Sequence, residues 1–407
     1  MVQGQMMVSR RVSMLLFVTS GCWSSAVFAQ SVQPEISFEA SAEVTYDSNI
    51  ARSSRERAAA RGLSREDERF IPSVELQIVR PFGRSSASVV ARGGYEFHRR
   101  NSRLDREWGD ISGTANLDAR FCAAELSASI AHRQSDLRDI VVVSSDAPEA
   151  QRNARTTQDY VAFLSCGRPI GLRPALEFGY SRGDNSNPFR QLTDFRRKRY
   201  LAGMSYSHPI LGEALLFVSR AETELPNQSF IARVDEYETE QLGVRFERRT
   251  GARLHLTAEI ARTQIDIQGE TPLEDAGITG NLSMTAIVGP RLQAVAQASR
   301  VLDSRADTDA TYFKAETFEL KLTSQVSERI RVESAGAFTN RRNVYVVQVG
   351  PGAIAEEDRF DVSAGLNYMV RRGMQLRLSA GYERRDATGR AFDYSNTYAA
   401  ARVSAQF

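Results

Sequence analysis

From residue 36 to its last residue the chain alternates with period two, and that feature limits it to long strands. In ISFEASAEVTYD, Ile36, Phe38, Ala40, Ala42, Val44 and Tyr46 alternate with Ser37, Glu39, Ser41, Glu43, Thr45 and Asp47. Successive side chains of a strand point to opposite sides, so each set lies on one face. The alternation returns in ISGTANLDARF (111–121), FDVSAGLNYMV (360–370) and MQLRLSAGYE (374–383). Eighteen such segments begin near residues 36, 68, 86, 108, 125, 156, 173, 198, 214, 237, 253, 277, 292, 311, 330, 358, 374 and 397. Those near 156, 214 and 330 have an ambiguous phase, and sixteen strands is the alternative count.

Segment length and connection length choose the architecture. The segments run about 10 to 15 residues, against about 5 to 6 for a typical soluble strand and about 9 to 11 for a tilted strand that crosses a bilayer. Short joins at 82–86, 122–125, 210–213, 250–253 and 371–373 alternate with longer polar ones such as 51–67, 138–155, 187–197 and 348–357. Tight turns at one end and long loops at the other describe an up-and-down meander. In hydrocarbon every backbone N–H and C=O needs a protein partner, so such a sheet can span only as a closed barrel. The expected fold is therefore an all-β transmembrane antiparallel barrel over 30–407. Its last strand, TYAAARVSAQF, would pair with the first, and Phe407 would serve as the terminal aromatic read by the outer-membrane assembly machinery. Tyr46, Tyr95, Phe97, Tyr180 and Tyr382 fall near the long-loop ends, where an aromatic girdle belongs.

Residues 1–29 read as a secretory signal: Arg10 and Arg11, the apolar run MLLFVTSG, then AVFA, with cleavage expected after Ala29. SRRVS and TSGC match twin-arginine and lipoprotein signals only in part, because the residues after Arg11 and the Thr at 19 depart from them. These two arginines account for the formal net charge of +2, so the mature chain has no general pull toward nucleic acid. No later stretch approaches the roughly 18 to 20 apolar residues of a membrane helix. Cys122 and Cys166, each at a short turn and two strands apart, are a candidate disulfide in an oxidising compartment.

The segment EVTYDSNIAR (43–52), followed by strand-and-turn repeats to a terminal Phe, resembles the outer-membrane β-barrel porin family whose members begin with a Tyr-Asp-X-Asn stretch. That family accompanies exopolysaccharide and capsule export in Gram-negative bacteria. The resemblance implies an envelope channel with a saccharide cargo and a periplasmic export partner, and it supplies no ligand residues.

The inward register holds Glu43, Arg92, Glu96, Asp118, Arg120, Arg245, Glu247, Asp361, Arg377, Glu383 and Arg402, with Glu39, Asp47, Glu75, Glu177 and Glu259. Charges on that scale are prohibitive in a dry core and fit the wet lumen of a large barrel. Acids and arginines are mixed, so pairing across neighbouring strands competes with a role in selectivity. The arginine-rich stretch 51–68 could meet lipopolysaccharide phosphates or be a plain solvated loop. Of four histidines, His132 lies on the opposite strand face from Ser135. No cofactor loop or metal-ligand spacing occurs, and no enzyme is expected. The expected function is a passive channel for saccharide or exopolysaccharide. Its rivals are a closed structural or adhesive barrel, which folding of 138–155 into the pore would favour, an outer-membrane hydrolase, and a secreted soluble β-protein.

Overall fold

A computed structural model of the protein describes residues 34–134, 152–168, 170–227, 234–269, 273–303, 312–345, 354–388 and 392–407. The expected signal segment and the centre of the 138–155 connection lie outside them. Among the described residues the chain forms eighteen strands. They are β1 (Glu35–Asp47), β2 (Asp67–Phe82), β3 (Ser85–His98), β4 (Arg106–Ala119), β5 (Cys122–Gln134) and β6 (Ala154–Cys166). Next come β7 (Gly171–Asn185), β8 (Phe195–His208), β9 (Gly212–Glu224), β10 (Val234–Thr250), β11 (Leu254–Gly269) and β12 (Leu273–Val288). The last six are β13 (Leu292–Asp303), β14 (Tyr312–Gln325), β15 (Ile330–Val344), β16 (Glu356–Arg371), β17 (Met374–Ala387) and β18 (Tyr394–Gln406).

Each strand pairs antiparallel with its sequence neighbours, and β1 pairs with β18 from Glu39↔Gln406 to Asp47↔Tyr398, so the sheet closes on itself. At the seam the Phe407 N–H donates to the Phe38 carbonyl at 2.8 Å and the two rings lie 6.1 Å apart. Turns at one end are tight. Gly373, between β16 and β17, has φ +78°, and a Cβ there would come within 2.9 Å of the Gln406 carbonyl, so both backbone conformation and space favour glycine. Arg120 takes the same kind of place between β4 and β5 at φ +50°.

The outer face inverts the pattern of a soluble protein. Ile36, Val44, Ile111, Leu176, Leu242, Ile260 and Ile278 are each more than half exposed, while Thr45, Asp47, Glu177 and Thr263, on the inner register, are buried. Toward the long-loop end the outer register changes from apolar to charged within one step: Val218 to Arg220, Leu242 to Glu240, Ile260 to Arg262, Phe318 to Glu316 and Phe360 to Asp358. On β16 the apolar outer stretch from Phe360 to Val370 is about 25 Å tall at a tilt of ~40°. No described helix is long and apolar enough to cross a membrane.

The 48–66 connection departs from the expected solvated loop. It holds a short helix α1 (Arg55–Ala60), capped by Ser54, whose hydroxyl accepts from the Arg57 N–H. Ala51, Ala58 and Leu63 pack with Leu104 of the 99–105 connection into a small core. Several arginines of this stretch point inward rather than into solvent: Arg61 is buried and donates to the Ala51 carbonyl, and Arg57 lies over the Phe392 ring.

Candidate functional site

The inner wall is lined by charges that largely meet partners on nearby strands. Arg92 pairs with Glu75 at 2.7 Å, Arg245 with Glu259 at 2.6 Å and Arg402 with Glu39 at 2.8 Å. Glu96 lies 3.9 Å from Arg69. Glu247 meets His255 and Arg249, and Glu43 accepts from the Thr45 hydroxyl. Two pairs reach over an intervening strand, Arg377 on β17 to Glu333 on β15 and Arg173 on β7 to Glu213 on β9. Asp361 stands directly opposite Glu383 in register. Asp118 pairs with Arg84 at the short-turn rim. Arg120 differs from expectation: it sits in the β4–β5 turn with its guanidinium 5.9 Å from the Phe121 ring, because the strand ends at Ala119.

The wall has two characters. Around β1–β4 and β14–β15 the inner face carries hydroxyl pairs, Ser41 with Ser73, Ser88 with Thr114 and Thr317 with Thr339. Along β7–β11 it turns apolar: Ala175, Leu201, Leu215, Phe217 and Ala261 form a buried cluster against Phe163 of β6. A second cluster, Leu225, Tyr237, Ile265 and Ile267 with Leu302 of β13 and Tyr312 of β14, lies at the long-loop end and reaches beyond that arc. There Arg197 of β8 reaches Asp303 of β13 at 3.1 Å, drawing together strands that are not neighbours in the sheet.

At the long-loop mouth the Tyr-Asp-X-Asn stretch is a fastening. Tyr46 points outward, while the Asp47 carboxylate, 1% exposed, accepts from Arg52, Arg69 and the Asn396 amide. Arg52, at φ +48°, also donates to Glu383 and to the Asn49 carbonyl, so it ties the lobe 48–66 to β17. Asn396 Oδ1 receives the Asn49 N–H and the Ser48 hydroxyl, and the Ser48 hydroxyl accepts from the Thr397 N–H. The Asn49 amide donates to the Ser395 carbonyl, and the Ser48 N–H to that of Thr397.

The same six contacts recur at the ends of β6 and β7. Asn153 Oδ1 receives the Asn187 N–H and the Ser186 hydroxyl, while the Asn153 amide donates to Asn185. Ser186 accepts from the Ala154 N–H, the Asn187 amide donates to the Arg152 carbonyl, and the Ser186 N–H donates to that of Ala154. Asn185 in turn donates to Asp194, whose carboxyl burial pushes above its ordinary pKa. The sequence carries the signal, since Asn-Ser-Asn at 185–187 repeats Asp-Ser-Asn at 47–49.

The histidines take structural places. His98 and its own N–H both face the Asp105 carboxylate, which closes the 99–105 turn, and His132 Nδ1 lies 2.9 Å from the Thr156 hydroxyl. An acid thus stands beside His98, as a hydrolase would need, but it is committed to the turn's backbone. Cys122 and Cys166 face each other in register at the short-turn end and form a disulfide.

No family model and no curated protein matches the sequence. Solved structures similar to this barrel include Pseudomonas aeruginosa OccK2 (OpdF), at a TM-score of 0.47 and 12% identity over 92% of this chain and 98% of that one. Acinetobacter baumannii OccAB3 is similar at 0.45 and 12%, over 92% and 99% of the two chains. A BenF-like porin from Pseudomonas fluorescens Pf-5 is similar at 0.47 and 10%, over the same shares.

Proposed function

We propose that the chain is a passive channel in the outer membrane of a Gram-negative cell, and that its cargo is a polyhydroxylated solute of the saccharide or exopolysaccharide class. One observation carries the reading: a closed eighteen-stranded barrel whose outer face is apolar and exposed and whose inner face is charged and polar over most of its circumference, the β7–β11 arc excepted. A soluble barrel would hide the first face and need not tolerate the second. An even strand number, a band of about 25 Å and short joins at every connection of one end, with most of the long ones at the other, agree with the outer-membrane class, whose long loops face outward and whose tight turns face the periplasm.

The cargo class draws on three supports. Inner charges of both signs are mixed and many of them are paired, so the wall favours neither ion strongly. The hydroxyl pairs Ser41–Ser73 and Ser88–Thr114 offer neutral donors and acceptors. The Tyr-Asp-X-Asn resemblance belongs to barrels that accompany exopolysaccharide export, and a periplasmic export partner, the assembly machinery and lipopolysaccharide are the partners that reading brings with it.

A second reading has its own observation. The inner apolar cluster of the β7–β11 arc, the Arg197–Asp303 contact and the lobe 48–66 at the mouth are the features that would narrow the lumen, as a structural or adhesive barrel with a blocked pore would require. Single-channel conductance of the detergent-purified mature protein in planar bilayers separates the two. We expect stable conductance, reduced by neutral or acidic oligosaccharides. A silent sample that still shows a heat-modifiable gel shift would overturn the channel and leave the blocked barrel.

A further inference from the structure

The outer wall carries a groove that runs obliquely across β5–β11 with a volume of ≈ 990 Å³. It lies between two rows of outward side chains, each row following one line of the strand register. The first runs Leu126, Ala162, Phe178, Tyr200 and then Arg220. The second runs Leu164, Leu176, Ala202, Val218, Leu242 and then Arg262. Ala162 and Ala202 leave the floor low between larger neighbours. Six inter-strand spacings of ~4.8 Å make it about 29 Å long. Its volume is at the upper end of the range of about 300 to 1,000 Å³ seen for small-molecule sites.

The two ends differ. The low end on β5–β7 is apolar, and the high end stops where the outer register becomes charged. There Arg262 is exposed, with Leu242 and Ile278 beside it in register and no described carboxylate paired to it. Arg220 is held by Glu238 at 2.8 Å and Glu222 at 3.3 Å, while Glu240 and Gln264 complete the polar end. A chain of this length with a guanidinium at its upper end matches an acyl tail below a phosphate, since guanidinium binds phosphate through paired charge-assisted bonds.

We propose that this groove is a binding site for a phosphorylated acyl lipid of the surrounding leaflet, with the tail along the alanine floor and the phosphate on Arg262. The inference rests on the membrane-spanning reading above. Glu240 beside the phosphate accepts from hydroxyls of the headgroup, so a glycosylated headgroup suits the site better than a bare one.

The test is native mass spectrometry of the detergent-purified barrel with dioleoyl phosphatidic acid, dioleoylglycerol and inorganic phosphate as probes. Arg262→Gln and Ala202→Phe are compared with Arg342→Gln, an outward rim arginine outside the groove that pairs with Glu356. We expect R262Q and A202F each to weaken phosphatidate retention about tenfold, R342Q to leave it unchanged, and dioleoylglycerol binding to ignore R262Q. Inorganic phosphate should neither bind measurably nor displace phosphatidate; displacement by it would mean a free-phosphate site. Equal loss in R342Q, or full retention in R262Q, would overturn the proposal, and R262Q decides it even where A202F does not fold. A wild-type protein without a heat-modifiable shift in detergent would instead refute the membrane reading.

Discussion

Asp47 and Asn185 hold the same place in two copies of one fastening, and what rests on them differs. Six hydrogen bonds join residues 47–49 to 395–397, and six matching ones join 185–187 to 152–154, with Asn396 or Asn153 taking part in three of each six. At β6 and β7 the joined residues are 32 positions apart, Asn153 to Asn185, and a single chain connection brings them together. At β1 and β18 the separation is 349, from Asn396 to Asp47, and only closure of the ring unites them. The neutral Asn185 donates to Asp194 and Thr193, whereas the ionised Asp47 gathers Arg52 and Arg69. Hydrogen-bond geometry is set by the local shape of two strand ends and is alike in both. The charge is added where closure entropy is greatest, since loop cost rises with chain length.

The largest test removes that charge. Asp47→Ala leaves two arginines and the Asn396 amide without their buried acceptor, and we expect it to cost about 3 to 5 kcal/mol. Asn185→Ala should cost only about 1 to 3 kcal/mol, the range for unmade neutral hydrogen bonds. Urea titration of the folded barrel in micelles, read by the heat-modifiable band, measures both. Equal costs would mean that charge does not distinguish the seam from an ordinary strand pair.

A middle-sized test asks whether the hydrogen-bonded halves are equivalent. Asn396→Ala and Asn153→Ala each delete one acceptor serving two donors and one donated bond, so each should cost about 2 kcal/mol. Hydrogen exchange should quicken at the Asn49 amide in the first variant and at the Asn187 amide in the second. A seam variant that loosens both sites would show that the two fastenings communicate around the ring.

Much of this was legible in the residues, for a stated reason. Period two requires contrast between faces, and where one face is polar the segments at 36, 111, 360 and 374 gave strand, face and pairing together. The contrast fails near 214, where Leu215 and Phe217 join the inner apolar cluster while Leu216 and Val218 face outward, so four apolar residues run in succession. Opposite charges on adjoining strands, such as Glu75 and Arg92, could be matched from register alone. The pairs Arg173–Glu213 and Arg377–Glu333 could not, because they depend on wall curvature that brings alternate strands within reach. The lobe 48–66 read as a charged loop because its core borrows Leu104 from the next connection. ISGTANLDARF keeps its phase through Arg120, so the periodicity places that residue on the strand, whereas the strand ends at Ala119 and Arg120 turns at positive φ.

The smallest expected effect isolates the hydroxyl. In Ser48→Ala the exposed Thr397 N–H loses its acceptor and Asn396 Oδ1 loses a part-buried donor at 3.2 Å, against 3.5 Å for the matching Ser186 bond, at a cost of about 1 kcal/mol. Ser186 is exposed, so water replaces its oxygen for the Ala154 N–H and the same substitution should cost less than about 0.5 kcal/mol. A third strand end supplies the control. Thr388 accepts from the Ala355 and Glu356 N–H groups, and its own N–H donates to the Glu356 carbonyl, but Gly389 follows it where the other two have asparagine. Thr388→Ala therefore removes a hydroxyl with no asparagine beside it. If its cost in the same urea titration matches that of Ser186→Ala, the hydroxyl acts alone and the asparagines supply most of each fastening. A cost at Ser48 well above both would place the extra at the seam itself, since Asn396 and Asn153 each lose one of two donors when their serine is removed.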